Sequence, residues 1–450
     1  MKLNTYHNIY FVGIGGIGMS ALAKYFHEQN KKISGYDKIS SDNTKTLEDL
    51  GINISYSDDI ETIDPKYLQS SETLVVYTPA IPNSNVILNY FNSNHFTVLK
   101  RSEILGMITK DTFCFAVAGT HGKTTTTSIL GHLMFEANQN MTAFLGGISE
   151  NYNSNLIQNG SETTVVEADE FDRSFMTLSP NFACITSMDA DHLDIYGDKE
   201  SLKQSFLDFS KNISNDGKLF VHESLSVEGI TYGIDSNADY AAQNIKIVEG
   251  AYHFDLKTPN SILRNFRFHL PGSHNLNNAV AALAMALEFG CTKEKLQKGL
   301  NSYRGVKRRF SYKIKEQSFV FIDDYAHHPE EIKQVFKTLK SIYPNEHLLV
   351  VFQPHLFSRT RDLLNEFADV LSEFDAVILL DIYPAREEPI SGVSSEILLQ
   401  KIKSNNKYLS KKSDLSDMIK NIGYKVNVTL GAGDIGKEVE QIKNRLEYAV

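Results

Sequence analysis

Two glycine-rich segments, each between an apolar run and a helical run, constrain the fold more than any other feature of the chain. The first, Gly13–Gly18 (GIGGIG), follows the apolar run Asn8–Val12. The second, Ala118–Thr125 (AGTHGKTT), follows the apolar run Phe113–Ala118. Glycine turns between a buried strand and a helix are typical of phosphate-binding loops in parallel α/β sheets, because the helix N-terminus can face an anion. Both segments therefore predict α/β units that bind phosphate groups.

Alternating strands and helices along the whole chain predict an α/β protein of three domains. The 450 residues exceed what one hydrophobic core usually holds. We expect a Rossmann-like N-terminal domain (1–105), a central P-loop ATPase-type α/β domain (106–310) and a Rossmann-like C-terminal domain (311–450). Within the central domain, short apolar stretches from about Asp216 to Phe268 predict an antiparallel annex. The remaining apolar runs predict core strands at Lys32–Tyr36, Leu74–Tyr77, Thr163–Glu167, Phe182–Thr186, Phe319–Ile322, Leu348–Phe352, Ala376–Leu380 and Val426–Leu430.

Charge and cysteine content exclude several classes of protein. With 45 basic and 55 acidic residues the formal charge is −10, which argues against a nucleic-acid or polybasic membrane binder. The three cysteines, Cys114, Cys184 and Cys291, are far apart and predict reduced buried thiols rather than a disulfide or metal framework. The longest apolar stretch, near Ala279–Leu287, is shorter than the roughly 20 residues that span a bilayer. We expect a soluble cytoplasmic protein without membrane insertion.

The first glycine loop leaves its ligand open. Backbone amides of Gly15, Gly16, Ile17 and Gly18 can face a phosphate, and Asp37 ends the next strand, where a ribose-binding acid stands in dinucleotide-binding folds. A dinucleotide, a different nucleotide and a plain glycine turn are all compatible with this pattern.

The second loop carries the active half of a P-loop. Lys123 can reach the β- and γ-phosphates of ATP, and the Thr124 hydroxyl can bind Mg²⁺. Val117 stands where the first glycine of the usual spacing belongs, so the loop is a variant. The predicted ATP-binding residues of this loop are Gly119, Thr120, His121, Gly122, Lys123, Thr124 and Thr125.

Acidic clusters follow two further strands. Glu167–Asp172 holds four carboxylates, and Asp189–Asp194 contains His192 among its acids. Oxygen ligands with one imidazole suit Mg²⁺ shared with substrate phosphates, and Glu167 and His192 are the candidate ligands. Solvated helix caps are the alternative, particularly for Asp172, Asp189 and Asp194.

In the last third, two polar segments follow strands. Asp323–Pro329 (DDYAHHP) contains two histidines, and Gln353–Arg361 (QPHLFSRTR) contains a histidine and two arginines. Arginine is a natural bidentate clamp for a carboxylate, and histidine can move a proton near neutral pH. The alternative for Arg361 is a side chain that lies at the surface in solvent and binds no ligand.

Taken together, these segments resemble the Mur ligase family from Gly13 to Gly433. The order and spacing of the motifs carry the resemblance, and the variant P-loop is itself a family trait. The motifs are GIGGIG (13–18), GTHGKTT (119–125), EADE (167–170), DHLD (191–194), HNLNNA (274–279) and DDYAHHP (323–329).

The resemblance implies a ligase that uses ATP and Mg²⁺ to join L-alanine to the lactyl carboxylate of UDP-N-acetylmuramate through an acyl phosphate. It implies a monomer or weak homodimer, and it assigns the first loop to the UDP-sugar. The implied catalytic residues are Lys123, Glu167, His192, His327 and Arg359. The implied metal ligands are Thr124, Glu167 and His192, and His355 and Arg359 would bind the amino acid. The other implied contacts are Asn275, Asn278, Arg308 and Asp323 for ATP, and Gly15, Gly16, Ile17, Gly18, Asp37, Ala80 and Tyr325 for the UDP-sugar.

Other functions remain compatible with parts of the pattern. A murein-recycling ligase would attach a tripeptide to the same UDP-sugar, but its third domain lacks the Pro354–Thr360 pattern. An NAD-dependent oxidoreductase would leave Lys123 unexplained, and a regulatory nucleotide-binding protein would leave Glu167 unexplained. Leu356 stands where some members of the family carry arginine, so one carboxylate or phosphate contact is either absent from this chain or supplied by Arg361.

Overall fold

The structure, a computed structural model, describes residues 3–189, 196, 198–385 and 387–447. Its strands form sheets of five, ten and six strands. The contacts between residues divide the chain into two compact units, one made of Met1–Ile245, Phe254–Arg267 and Asn277–Arg304, the other of Lys246–His253, Phe268–Leu276 and Gly305–Val450. The first sheet belongs to the first unit and the six-stranded sheet to the second.

The N-terminal sheet is entirely parallel in the order β3-β2-β1-β4-β5. The elements are β1 (Asn8–Val12), α1 (Ile17–Glu28), β2 (Lys32–Tyr36), α2 (Asp42–Asp49), β3 (Asn53–Ser55), β4 (Thr73–Tyr77), α3 (Val86–Ser93), β5 (Thr97–Lys100) and α4 (Arg101–Lys110). The strand order reverses at β1, which is buried along its whole length. Ligands of open parallel sheets bind in the crevice at such a reversal, and the first glycine loop lies there.

The ten-stranded sheet has the order β15-β14-β13-β12-β11-β10-β6-β9-β7-β8. Its strands are β6 (Phe113–Ala118), β7 (Met141–Ser149), β8 (Ser154–Gln158), β9 (Thr163–Glu167), β10 (Phe182–Ile185), β11 (Lys218–His222), β12 (Ile230–Ile234), β13 (Tyr240–Val248), β14 (Ala251–Lys257) and β15 (Ile262–Phe268). The accompanying helices are α5 (Lys123–Glu136), α6 (Lys199–Ser210), α7 (Ser273–Glu288) and α8 (Lys293–Ser302). Strand β6 lies between β9 and β10 and is parallel to both.

The six-stranded sheet has the order β16-β17-β21-β18-β19-β20, and only the β16–β17 pairing is antiparallel. Its strands are β16 (Ser311–Lys315), β17 (Val320–Asp324), β18 (Leu348–Phe352), β19 (Ala376–Leu379), β20 (Asn406–Leu409) and β21 (Val426–Leu430). The helices are α9 (Pro329–Ile342), α10 (Phe357–Asp362), α11 (Leu364–Leu371), α12 (Ser395–Lys401), α13 (Leu415–Ile422) and α14 (Ile435–Glu447).

The predicted α/β class with three sheet-based domains is confirmed, but the antiparallel annex is wrong in part. Strands β11, β12 and β13 pair in parallel and extend the central sheet. Alternating side chains mark a strand in either direction, so the pattern could not tell the two apart. The domain boundaries after residues 105 and 310 stay predictions. Among the described residues, no helix is long and apolar enough to cross a membrane.

A buried polar contact joins α1 to the hairpin strand β8. The Lys24 ammonium donates to the Asn155 side-chain oxygen at 2.8 Å, and the Asn155 amide donates to the Ile17 carbonyl at 2.6 Å and to Ser20 Oγ at 2.9 Å. Asn155 is fully buried, and burial lowers the pKa of Lys24. Because Ile17 is the first residue of α1, this contact anchors the glycine-loop end of the helix to the central sheet.

We expect Asn155→Leu to lower the free energy of unfolding by about 2–3 kcal/mol, because it leaves the buried Lys24 ammonium without its acceptor. Urea denaturation provides the measurement. Lys24→Met serves as the matched variant, since it removes the ammonium that needs the acceptor. The double variant should lose less than the two single variants added together, and strict additivity would contradict the coupling.

Candidate active site

The first glycine loop is held by its own backbone and by Asp37. The Gly13 amide donates to the Tyr36 carbonyl at 2.7 Å, and the Gly15 amide donates to the Asp37 carboxylate at 2.7 Å. Gly13 has a φ of 89°, a left-handed conformation that favours glycine. A Cβ on Gly15 would lie 2.9 Å from Asp37 Oδ2, so the loop tolerates no side chain there. The predicted residues Gly15 and Asp37 thus lie together, at the N-terminus of α1.

The turn that follows β4 packs on the same loop. A Cβ on Gly13 would lie 2.7 Å from Thr78 Cγ2, and the Ile81 amide donates to the Thr78 carbonyl at 3.1 Å. The predicted contact residue Ala80 lies in this turn and is exposed. Its position beside the loop leaves it accessible to a ligand bound there.

The second loop is tied to the end of β10. Ser187 Oγ lies 2.8 Å from Thr120 Oγ1 and accepts from the His121 amide at 2.8 Å. The Asp189 amide donates to Thr120 Oγ1 at 3.0 Å, and the Asp189 carboxylate lies 3.9 Å from His121 Nε2. Gly119 and Gly122 have φ values of 129° and 84°. The loop is therefore rigidly shaped before α5 begins.

Lys123, the first residue of α5, lies in an ion pair with Glu170. Its ammonium is 2.8 Å from Glu170 Oε1 and also donates to the Gly119 carbonyl at 2.6 Å. Glu170 is fully buried, and the Lys123 side chain is 16% exposed. Burial alone would lower the pKa of Lys123, but the carboxylates of Glu170 and Asp169 outweigh it and raise the pKa. Lys123 therefore carries a positive charge at the end of the second loop.

Thr124 and Glu167 form the second pair of this loop. The Thr124 hydroxyl donates to Glu167 Oε2 at 3.1 Å, and the Gly146 amide donates to Glu167 Oε1 at 2.6 Å. Burial raises the pKa of Glu167, although the Gly146 amide and the Lys123 charge oppose the rise. The neighbouring amide and ammonium groups therefore offset only part of the cost of burying the Glu167 carboxylate in its ionised form.

Asn278 on α7 lies against the same loop. A Cβ on Gly122 would lie 2.6 Å from Asn278 Oδ1, so the missing side chain makes room for the amide. Asn275 precedes it by one turn of α7 and donates to the Pro271 carbonyl at 2.6 Å. Both asparagines are buried.

In the other compact unit, Arg308 anchors a cluster around Tyr325. Arg308 Nε donates to Asp323 Oδ2 at 3.0 Å, and its Nη2 donates to the Gly431 carbonyl at 2.7 Å. The guanidinium groups of Arg308 and Arg309 lie 5.2 Å and 5.3 Å from the centre of the Tyr325 ring. Asp323 is buried at the end of β17. The predicted residues Arg308, Asp323 and Tyr325 thus lie in one place.

A chain of rings extends from Tyr325. The Tyr325 and His327 rings are 5.4 Å apart, His327 and His355 are 5.9 Å apart, and His355 stacks on Tyr383 at 5.6 Å. His327 Nδ1 lies 3.0 Å from the Tyr325 carbonyl and 3.4 Å from the Glu331 carboxylate. The structure therefore brings Tyr325 and His327 of one polar segment together with His355 of the other.

Arg359 lies on α10, a short helix that begins after an unusual residue. Leu356 has a φ of 73°, a left-handed conformation that is strained for a branched side chain. Glu387 holds the start of α10 by accepting from the Ser358 amide at 3.0 Å and from the Ser358 hydroxyl. Arg361 pairs with its neighbour Asp362 at 2.7 Å and is exposed, as the surface alternative predicts.

Comparison with known proteins identifies the family. Models of three Mur ligase domains match the chain: the family catalytic domain over residues 8–112, the middle domain over 117–286 and the glutamate ligase domain over 308–435. The UDP-N-acetylmuramate–L-alanine ligases of Christiangramia forsetii and Flavobacterium psychrophilum are 56% and 55% identical to it. Each covers 99% of this chain, and the matches cover 98% and 100% of those proteins.

This chain belongs to the Mur ligase family. A solved UDP-N-acetylmuramate–alanine ligase from Thermotoga maritima matches with a TM-score of 0.84 at 28% identity, covering 98% of this chain and 100% of that one. A murein peptide ligase from Psychrobacter arcticus shares the fold, with a TM-score of 0.71 at 21% identity over 98% of this chain and 99% of its own. Mur ligases form amide bonds with ATP, so the predicted class of enzyme and the use of ATP are confirmed.

Oxygen atoms at the second loop and at the end of β9 are suitable ligands for Mg²⁺, the metal predicted for this Mur ligase. Thr124 and Glu167 present adjacent oxygen atoms, and the incompletely compensated carboxylate of Glu167 suits a hard cation. His192, with Asp191 and Asp194, lies outside the described residues. Within the described ranges no cluster of three or more His, Cys, Asp or Glu side chains could hold a metal, so the fit to Mg²⁺ rests on the oxygen atoms of Thr124 and Glu167.

Sequence reasoning missed several partners of the Mur ligase site. The sequence pattern gives Glu170 and Asp169 only as members of an acidic motif, and it gives no signal for Arg101 and Glu387. Each has its partner far along the chain, as Lys123 and Glu170 do across 47 positions. The motif spacing identifies a loop, but it does not say which carboxylate faces which cation.

We expect Glu167→Gln to raise the Tm of the protein at pH 7 in the absence of Mg²⁺ and ATP. The raised pKa of Glu167 means that ionisation disfavours the folded state relative to the unfolded state, and glutamine removes that charge. Glu170→Gln is the matched control, because it leaves the Lys123 ammonium without its buried carboxylate and should lower the Tm. Thermal unfolding followed by circular dichroism compares the two, and a lower Tm for both would contradict this difference.

Proposed function

We propose that this Mur ligase joins L-alanine to the lactyl carboxylate of UDP-N-acetylmuramate, using ATP. The observation that carries the proposal is the 56% identity with an alanine ligase over 99% of the chain. The arrangement of Lys123, Thr124 and Glu167 at the phosphate loop supports it, because a carboxylate must be activated by phosphoryl transfer before an amine can displace its oxygen.

The first step forms an acyl phosphate. A lactyl carboxylate oxygen attacks the γ-phosphorus of ATP, the bond from that phosphorus to the bridging oxygen breaks, and ADP leaves. Two anions must approach each other, so the reaction needs fixed positive charge. Lys123 supplies it after exchanging part of its contact with Glu170 for the phosphates. Two Mg²⁺ ions, one held by Thr124 and Glu167 and the other by His192, would neutralise further phosphate charge.

The second step forms the amide. The amino group of L-alanine attacks the acyl carbon, the carbon–oxygen bond to phosphate breaks, and the nitrogen gives up a proton. Arg359 clamps the alanine carboxylate with two parallel donors, together with His355. His327 orients the amine or takes its proton, and the Tyr325 carbonyl and Glu331 hold its ring.

The remaining predicted residues divide between the two nucleotides. The first loop binds the pyrophosphate of the UDP-sugar through Gly15, Gly16, Ile17 and Gly18, with Asp37, Ala80 and Tyr325 contributing further contacts. The second loop binds the phosphates of ATP through Gly119, Thr120, His121, Gly122, Lys123, Thr124 and Thr125. Asn275 and Asn278 bind the adenine side, and Arg308 and Asp323 bind the ribose and phosphate side.

The comparisons favour alanine addition over the tripeptide-adding alternative. Relatives at 51–56% identity are alanine ligases, whereas the solved murein peptide ligase shares 21% identity and supports only the fold. We further propose that the enzyme acts in the cytoplasm, where ATP and UDP-sugars are made, and that it is a monomer or weak homodimer of domains 1–105, 106–310 and 311–450.

We expect Lys123→Met to abolish release of ADP while the protein still binds UDP-N-acetylmuramate. The loss of one fixed charge on the transferring phosphoryl group amounts to several kcal/mol, on the order of 10²–10³-fold in kcat. A coupled ADP assay and calorimetric titration of the UDP-sugar measure the two effects. Lys110→Met, on the exposed end of α4, is the control and should keep wild-type turnover. Near-normal ADP release by Lys123→Met would refute the role of the loop.

We expect Arg359→Lys to raise the KM for L-alanine about 10- to 100-fold, or about 1.4–2.7 kcal/mol. Lysine keeps the charge but loses the planar pair of donors that matches a carboxylate. Arg361→Lys is the matched control, since Arg361 pairs with Asp362 at the surface. Initial rates at varied concentrations of L-alanine give this KM. A change confined to the KM for ATP or for the UDP-sugar would show that Arg359 does not bind the alanine carboxylate.

A further inference from the structure

Arg101 lies beside the first glycine loop and faces the acidic motif Glu167–Glu170, and it has no role in the proposed reaction. It is the first residue of α4, immediately after β5. A Cβ on Gly18 would lie 2.7 Å from Arg101 Nη1 and 3.0 Å from its Cδ. The last glycine of the first loop, Gly18, therefore makes room for an arginine side chain beside the first turn of α1.

The other end of the guanidinium faces the acidic cluster of the central sheet. Arg101 Nη2 lies 3.9 Å from Asp169 Oδ2, while Asp169 Oδ1 accepts from the Phe171 amide at 3.1 Å. One carboxylate oxygen is thus held by the backbone and the other is aimed at the arginine. A separation of 3.9 Å is longer than a hydrogen bond, so this ion pair orients the guanidinium without using its donors fully.

The segment that follows Asp169 also fixes the base of this side chain. The Thr177 hydroxyl donates to the Ser102 carbonyl at 2.9 Å, next to Arg101. Further along α4, a Cβ on Gly106 would lie 2.5 Å from the Thr177 carbonyl oxygen, so the helix and the segment Phe171–Thr177 are in close backbone contact. The position of Arg101 is therefore set by a rigid contact between α4 and the central domain.

We propose that Arg101 binds the pyrophosphate of the UDP-sugar and that Asp169 is its positioning residue; this rests on the proposed function. The first turn of α1 directs its amide groups at the same anion, and the guanidinium stands at that turn. An arginine can donate two parallel hydrogen bonds to phosphate oxygens, which a helix N-terminus alone does not supply. Asp169 follows β9 and is itself held by the Phe171 amide, so its carboxylate is fixed where it can orient the guanidinium.

Titration of wild type and Arg101→Met with three ligands tests the proposal without turnover: UDP-N-acetylmuramate, its alanyl product and ATP. Substrate and product share the pyrophosphate, but in the product the lactyl carboxylate is an amide. We expect both to bind about 10- to 100-fold more weakly to Arg101→Met, by the same factor, with ATP affinity unchanged. Asp169→Asn should weaken both by a smaller common factor, and Arg101→Lys should restore part of the loss. Lys110→Met, on the same helix, should change none of the three affinities.

Each other outcome overturns the proposal. Loss of substrate affinity alone would assign Arg101 to the lactyl carboxylate, loss of ATP affinity alone would assign it to ATP, and unchanged affinities would leave it a surface cation. An equal Tm for wild type and Arg101→Met shows that the fold is intact, and Arg101→Lys serves as the test if Arg101→Met is unstable. Failure of wild type to make the amide would refute the proposed function separately, since the binding measurements need no turnover.

Discussion

The parallel pairing of β6 with β9 and β10 is the constraint on which the central site depends. Parallel strands in adjacent positions end at the same edge of a sheet, so the segments that follow them meet there. The phosphate loop follows β6, Glu167 ends β9, and Ser187 follows β10. Three separate stretches of sequence thereby contribute to one small volume.

Charge balance in that volume stabilises the cluster. A buried ammonium or carboxylate is costly unless it is paired and hydrogen-bonded. Lys123 has Glu170, and Asp169 has Arg101 and a backbone amide. Glu167 is compensated less fully, by a hydroxyl, an amide and a neighbouring charge, and its pKa is accordingly raised by burial. Of these groups, Glu167 is thus the one whose charge is disfavoured by burial.

The sequence predicted the buried strands of the core more accurately than it predicted which side chains are in contact. Strands β1, β6 and β18 have the predicted bounds because buried parallel strands are nearly continuous apolar runs with sharp ends. Short or partly exposed edge strands such as β3 and β20 were missed, since they lack such a run. The parallel direction of β11–β13 was missed because the alternation of side chains is the same in both directions.

The sequence by itself determined the family and the positions of the two glycine loops, because the order of the motifs and the glycines between a strand and a helix depend on neighbouring residues alone. The roles of Lys123, Thr124 and Glu167 stay predictions. Tertiary structure alone decided the partners. It chose Glu170 over its neighbours for Lys123, placed Asn278 against Gly122, and put Arg101 beside Gly18. These contacts join residues that are distant in the chain, and only the packing of sheets and helices brings such residues within hydrogen-bond or van der Waals distance.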